Sequence, residues 1–205
     1  MRCRCREGAG KSAGVARLDR MRGFAEYQPG VQRAPARVQV RAAADVDVAA
    51  IEDIQRRAGR AVHPEAYRRA VDAPDRRILV AVATETASAL VVVGWGQTHH
   101  HTVVTDPAPA GHYLGGVTVD PHWRRRGVAG ALIQARIEWI AERASEAFYV
   151  VNLRNRASIE LHRPWSFAEV ARAPRLAGTP FEGGVGLLMR AALPLDGVDR
   201  TPIRE

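Results

Sequence analysis

Residues 120–133, DPHWRRRGVAGALI, place three consecutive arginines directly before a glycine and a run of small and apolar residues. Beyond this point apolar side chains recur at three- and four-residue intervals: Leu132, Ile133, Ile137, Ile140 and Ala144. This spacing predicts an amphipathic helix that begins next to Gly127 and buries one of its faces.

The residue types at this helix start favour an anionic ligand. The N–H groups of a first helical turn have no intrahelical partner, and the helix dipole places about half a positive charge there. Small residues leave those groups open to a ligand. We therefore predict a phosphate or pyrophosphate site on the backbone of residues 125–130, with three arginines at its rim. The residues concerned are Arg124, Arg125, Arg126, Gly127, Val128, Ala129 and Gly130. The motif alone leaves open an ordinary helix start with solvated arginines.

The flanking sequence predicts a mixed α/β domain. VQVR, from Val38, alternates like a strand, and Asp45 is expected to cap a helix through VAAIEDIQRRAG. A second helix over HPEAYRRAVD precedes a hairpin of two β-branched strands, ILVAVA and ALVVVGWGQTHHHTVV.

The second half continues the alternation of strands and helices. HYLGGVTV reads as a strand with a bulge at Gly115–Gly116. After the amphipathic helix we expect a strand at AFYVVNL and a short helix from Asn155 to about His162. Two strands, in FAEVARAP and GVGLLMRAAL, complete the order β, two helices, three strands, helix, strand, helix, strand, strand.

Composition sets the broad class of protein. The chain has 205 residues, of which 46% are hydrophobic and 25% charged, which is typical of a soluble globular protein. No run of 18 apolar residues predicts a membrane span and no signal peptide is recognised, so we expect a cytoplasmic protein without membrane contact. The two cysteines, Cys3 and Cys5, are too close for a good disulfide and are only half of a zinc site.

Charge and composition divide the chain into three parts. We expect a disordered basic extension at residues 1–35, with Met21 as an alternative start, a globular domain at 36–193 and a flexible tail at 194–205. The net charge is +8, of which residues 1–36 carry +5, leaving +3 for the rest. A basic arm can contact nucleic acid, but this one has few aromatic residues for base stacking, so a nucleic-acid partner is not expected.

Two motifs together resemble the GNAT superfamily of acyl-CoA-dependent N-acyltransferases. VDPHWRRRGVAGALI is similar to the family signature [Q/R]-x-x-G-x-[G/A] after V-D-P, through Arg124, Gly127 and Ala129. NRASIELHRPWSF is similar to the later motif N-x-x-A-I-x-L-Y followed by Gly-Phe; the matching residues are Asn155, Ile159, Leu161 and Phe167. The resemblance covers about residues 38–193. It implies the GNAT fold, a central twisted, mostly antiparallel sheet of six to seven strands flanked by about four helices.

The resemblance also implies a reaction. Acetyl-CoA, as acyl donor, is expected to bind by its pyrophosphate to residues 125–130 and by its pantetheine arm along HYLGGVTV, with Asn155 also at the cofactor. A backbone N–H near Val117 to Val119 would polarise the acyl carbonyl. A primary amine of a small molecule or peptide would attack directly in a ternary complex. The family relation implies no metal and allows a homodimer. A non-catalytic acyl-CoA-binding or sensor module and, less favoured, a nucleic-acid-binding protein are the alternatives.

The chain departs from the family pattern at the thiol end of the expected site. His162 stands where the family has a tyrosine that protonates the departing thiolate, and it can supply that proton or serve as a packing residue. Ser166 replaces the usual glycine before Phe167. Tyr149 is a weaker candidate for the acid, with a core role favoured.

Candidate bases and acceptor contacts are less specific. His112 is the first choice of base for the amine, followed by His99 and His101. His99 and His101 share one strand face but have no evident third metal ligand. Four acidic residues are available either to attract an amine or as surface charges: Glu52, Asp53, Glu65 and Glu182.

Overall fold

The computed structural model describes residues 24–86, 89–181 and 183–194. Residues 1–23 and 195–205, and with them both cysteines, Met21 and most of the basic arm, lie outside the described residues, as does Glu182. Among the described helices, none is long and apolar enough to cross a bilayer.

The described chain forms a seven-stranded sheet in the order β1-β2-β3-β4-β5-β9-β6, with a separate two-stranded hairpin. Neighbouring strands are antiparallel except β4 and β5, which are parallel. The strands are β1 Val38–Ala42, β2 Arg76–Thr86, β3 Ala89–His101, β4 Gly111–Val119, β5 Glu146–Asn152, β6 Ala168–Ala173, β7 Arg175–Leu176, β8 Thr179–Pro180 and β9 Gly186–Ala192. The predicted mixed architecture is confirmed. The β7–β8 hairpin, with two residues in each strand, was not predicted.

Within the described ranges, four α-helices cover the two faces of the sheet: α1 Val48–Arg57, α2 Pro64–Asp72, α3 Val128–Ala141 and α4 Arg156–His162. The side chains of β2 contribute to two hydrophobic cores, one on each face of the sheet, because successive side chains of a strand point to opposite faces. Ile78 and Val80 pack with α1 and α2, whereas Leu79 and Ala81 pack with α3.

The N-terminal cap of α1 differs from the prediction. Asp45 begins a 3-10 turn, Asp45–Asp47, and the α-helix starts only at Val48. Asp47 is the residue that orders this entry, since its buried carboxylate accepts from Arg41 Nη1 and Nη2 at 2.6 and 2.8 Å and from the N–H of Ala44 at 2.8 Å. The hydrogen bonds from Arg41 lower the pKa of Asp47.

The predicted bulge in β4 is confirmed. Gly96 of β3 pairs with Val117 and Thr98 pairs with Leu114, so Gly115 and Gly116 together oppose a single residue of β3. On its other edge β4 pairs with β5 at one position only, Tyr113 with Phe148. Beyond that pair the two parallel strands diverge and leave a cleft in the middle of the sheet.

Residues 24–35 run without helix or strand across the turn that precedes α3. The N–H of Arg33 donates to the carbonyl of Arg125 at 3.0 Å, and Arg125 Nε donates to the carbonyl of Val31 at 2.7 Å. Within the predicted extension, this part therefore contacts the domain.

Candidate active site

A cavity of about 610 Å³ occupies the cleft between β4 and β5. Residues 114–117 of β4 and 149–152 of β5 form two of its walls, and α4 contributes Ser158, Leu161 and His162. In the described sheet, the backbone of β4 beyond Tyr113 pairs with no residue of β5. An extended ligand with amide groups can bind such an edge as an additional strand does.

The turn between β4 and α3 is held by a buried aspartate. Asp120 is 6% exposed and accepts hydrogen bonds from the N–H of His122 at 2.9 Å and from Arg57 Nε at 2.7 Å. The second bond ties the end of α1 to this turn. The turn therefore has a fixed position relative to α1.

The N-terminus of α3 is open, as the sequence predicted. Gly127 is its N-cap with φ +84°, and no atom lies within 4 Å of the position that a Cβ would take there. The first helical hydrogen bond runs from the N–H of Ala131 to the carbonyl of Gly127, so the N–H groups of residues 128–130 have no intrahelical partner. Val128 offers only its backbone, because its side chain is 1% exposed and packs in the core.

The three arginines before Gly127 make different contacts. Arg124 Nε donates to the carbonyl of Val119 at 3.3 Å, and the guanidinium of Arg126 lies 5.6 Å from the centre of the Trp123 ring. The guanidinium of Arg125 instead donates to the backbone of Gln28 and Val31. Residues 24–35 thus hold the side chain of Arg125, and Arg124 and Arg126 are the better candidates for an anion.

Of the cofactor-binding residues predicted on β4 and at the start of α4, some line the cavity and one does not. Val117 lines it, whereas Val119 is buried against α3 and is not among its lining residues. Asn155 lines the cavity and also caps α4, since its Oδ1 accepts the N–H of Ser158 at 3.2 Å.

His162 lies in the cavity wall but is unsuited to donate a proton. It is 4% exposed, and its Nδ1 lies 2.8 Å from the carbonyl oxygen of Ser158. A carbonyl only accepts, so Nδ1 carries the proton and Nε2, which is buried and has no hydrogen-bond partner, does not. Burial lowers the pKa of His162 to about 4, assisted by the charge of Arg136. The imidazole is therefore neutral at neutral pH.

Tyr149 lies beside His162 in the cavity wall. Its ring stacks on His162 with 4.3 Å between centroids, and it also lines the cavity. Burial raises the pKa of Tyr149 to about 12, so its hydroxyl keeps a proton at neutral pH.

The structure separates the candidate bases onto two faces of the sheet. His99 and His101 line the cavity, and their Nε2 atoms lie 2.7 Å apart. Burial, followed by the neighbouring His101, lowers the pKa of His99 to about 4. His112 lies on the other face, against His100 and Trp139, and is not a lining residue. The pair His99–His101 therefore replaces His112 as the candidate base.

None of the acidic residues named from the sequence lines the cavity among those described. Glu52 and Asp53 bond to Arg56, and Glu65 bonds to Arg68, outside the cavity. In the described parts of the chain, no three potential metal ligands come together. Arg60 lines the cavity and donates to Thr118 Oγ1 at 3.0 Å, and burial lowers its pKa.

Arg136, which sequence reasoning missed, lies behind the cavity wall. It is 0% exposed in the middle of α3 and donates to the carbonyls of Leu132, Gln97 and Gly115. The available signal was its position, four residues after Leu132 and four before Ile140, in the apolar face of the helix.

Among solved structures, the ribosomal-protein-S18-alanine N-acetyltransferase of Escherichia coli is 18% identical, with a TM-score of 0.59 over 80% of this chain and 98% of that one. Arabidopsis thaliana NAA60 in complex with acetyl-CoA is 18% identical, with a TM-score of 0.61 over 77% and 99%. The yncA protein of Salmonella typhimurium, solved with its cofactor acetyl-CoA, is 20% identical, with a TM-score of 0.57 over 82% and 99%.

These TM-scores show a shared fold. A search of curated protein sequences gives no match. The family model for the acetyltransferase (GNAT) family matches residues 48–167, more than half of the chain, and this protein therefore belongs to the GNAT acetyltransferase family.

Proposed function

We propose that the protein transfers an acetyl group from acetyl-CoA to a primary amine, by direct attack of the amine in a ternary complex. The observation that carries this proposal is the cleft between β4 and β5, which has an open helix N-terminus near one end and the β4 bulge along its wall. A linear ligand with a charged end and an amide-containing arm fits such a cleft.

Backbone groups are expected to hold acetyl-CoA, the acyl donor. The pyrophosphate is expected on the N–H groups of residues 126–130, with Arg124 and Arg126 adding positive charge. The two amides of the pantetheine arm then run back along residues 114–117, so the thioester reaches the bulge. A backbone N–H near Val117 is expected to polarise the thioester carbonyl.

The acceptor enters from the face that carries His99 and His101. The amine nitrogen forms a bond to the carbonyl carbon, the C–S bond breaks, and its electron pair stays on sulfur. The neutral histidine pair accepts the proton that the amine loses. The hydroxyl of Tyr149 supplies the proton that converts the thiolate to a thiol and is then reprotonated from solvent.

The test is calorimetric titration of acetyl-CoA into wild type, Gly127→Asn and Gly127→Asp. Asn and Asp are similar in size and both tolerate the left-handed backbone of this position, so the two variants differ mainly in charge. We expect Asp to weaken binding about tenfold relative to Asn, since it places a negative charge beside the pyrophosphate. A folded wild type that does not bind acetyl-CoA would overturn the proposal.

A non-catalytic acyl-CoA-binding module is the second candidate, favoured by one observation: His162, at the position of the family's proton donor, has no proton on Nε2. Measuring the release of free thiol from acetyl-CoA distinguishes the acetyltransferase from the binding module. We expect release that depends on an added primary amine, tested with amino acids, polyamines and peptides with free N-termini. Tight binding without release for every amine class would favour the binding module.

A further inference from the structure

Arg136 is a cation that the fold buries without an ion pair among the described residues. Nε donates to Leu132 at 3.0 Å and Nη1 donates to Gln97 and Gly115 at 3.2 and 3.0 Å, all backbone carbonyls. Nη2 is buried and has no partner. Removing an unpaired charge from water is strongly unfavourable, and packing alone does not explain why the fold keeps a cation here.

The surrounding sequence makes room for this guanidinium. A Cβ at Gly96 would lie 3.1 Å from Cζ of Arg136, so a larger residue at position 96 would press on the cation. The bulge interrupts the β3–β4 ladder at Gln97 and Gly115, and Arg136 bonds the carbonyls of both. The site is therefore assembled from three elements, β3, β4 and α3.

The cation lies directly behind the wall of the cleft. Gly115, whose carbonyl it holds, lines the cavity, as does Gln97. The charge of Arg136 also contributes to lowering the pKa of His162, on α4 in another wall. Burial lowers the pKa of Arg136 itself to about 9, which leaves it protonated at neutral pH.

We propose that Arg136 is a positioning residue whose charge stabilises the negative sulfur of CoA when the acetyl group leaves. This inference rests on the proposed function, which places the thioester at the β4 bulge. As the C–S bond breaks, the electron pair remains on sulfur, and a nearby buried cation favours that thiolate. Arg136 gives up no proton in this step. Its charge lowers the barrier for departure by stabilising the thiolate before the hydroxyl of Tyr149 protonates it.

A purely structural role would be limited to holding the carbonyls of Gln97 and Gly115. The two roles differ in one measurable property, the thiol pKa of bound CoA. If the charge of Arg136 stabilises the thiolate, the thiol pKa of bound CoA is lower than that of free CoA. If Arg136 only holds the two backbone carbonyls, that pKa is not lowered by its charge.

The experiment follows the ultraviolet absorbance of the thiolate across a pH series in the complex with CoA. The complex with desulfo-CoA is subtracted at each pH to remove the protein's own groups. The other titratable groups in the described cavity wall are Arg60, His99, His101, Tyr113, Tyr149 and His162. We expect the wild type to lower the thiol pKa by about one unit or more, Arg136→Lys to keep part of that shift, and Arg136→Met to lose it.

Two results would overturn the inference: a bound thiol pKa at or above that of free CoA in the wild type, or the same lowered value in Arg136→Met. If the Met variant fails to fold, an unshifted wild-type thiol still overturns the inference, and a shift in Arg136→Lys larger than that of the wild type also contradicts it. Calorimetry with desulfo-CoA separates the two proposals. A wild type that binds neither CoA nor desulfo-CoA overturns both, whereas binding with an unshifted thiol overturns only the role of Arg136.

Discussion

The buried His162 should make the protein sensitive to mild acid. Its pKa is about 4 in the folded protein, below the ordinary value of 6.5, chiefly because burial disfavours the charged imidazolium. Between these values the unfolded chain binds a proton that the folded protein does not. The contribution to stability is therefore complete above about pH 6.5 and is lost as the pH falls towards 4.

The size of the effect follows from the shift. A difference of about 2.5 pKa units corresponds to about 3 kcal/mol once the pH is below 4, and to about 2 kcal/mol between pH 7.5 and pH 5. His99, with its pKa lowered to about 4, acts in the same direction. The contribution of His162 is therefore isolated by comparing how much unfolding free energy the wild type and a variant without His162 each lose on acidification.

The variant is His162→Asn, whose side-chain amide can still donate to the carbonyl of Ser158. Urea unfolding at pH 7.5 and pH 5.0 gives the free energy of unfolding for each protein. We expect the loss on acidification to be about 2 kcal/mol smaller in the variant than in the wild type. His63→Gln, at an exposed histidine, controls for the loss of any histidine. Equal losses in the wild type and His162→Asn would refute the reasoning.

Three further outcomes are expected. Gly115→Ala places a Cβ 2.8 Å from Cγ of Gln97 and should cost about 1–3 kcal/mol in urea unfolding, whereas Gly116→Ala, with no atom within 4 Å, should cost much less. Leu132→Ala, at a position that is 0% exposed, should cost about 2–5 kcal/mol in the same measurement; a loss under 1 kcal/mol would contradict the observed packing. Tyr149→Phe should lower kcat about tenfold or more with an unchanged affinity for acetyl-CoA; an unchanged kcat would remove Tyr149 as the proton donor.

The elements around α3 were predictable because their signals are local. The apolar spacing from Leu132 to Ile140 determines the helix, and two adjacent glycines in a strand indicate a bulge. The residue that caps α1 could not be chosen from the sequence, because Asp45 and Asp47 are both acceptable at a helix N-terminus. Only the nearby Arg41, on β1, makes Asp47 the residue that is buried there.

The faces of the sheet could not be predicted in the same way. Alternation on β4 requires His112 and Tyr113 to point to opposite faces, but it does not say which face borders a cavity. That is decided by where β5 diverges and by the packing of α3, which covers His112 with Trp139. The choice between His112 and the pair His99–His101 therefore needed the tertiary structure.

Arg136 shows the same limit more sharply. An arginine in the apolar face of a helix is locally ambiguous, because its long apolar stem can carry the charged end out to water at the edge of a helix. What keeps this one buried is the absence of a side chain at Gly96, 40 positions earlier, together with the carbonyls that the bulge at Gly115 leaves for its Nη1. The arginine in the helix face, the glycine at position 96 and the bulge would not individually predict a buried cation. Their coincidence places a positive charge behind the point where the proposed chemistry creates a negative one, which is the reason to expect that Arg136 serves the reaction as well as the fold.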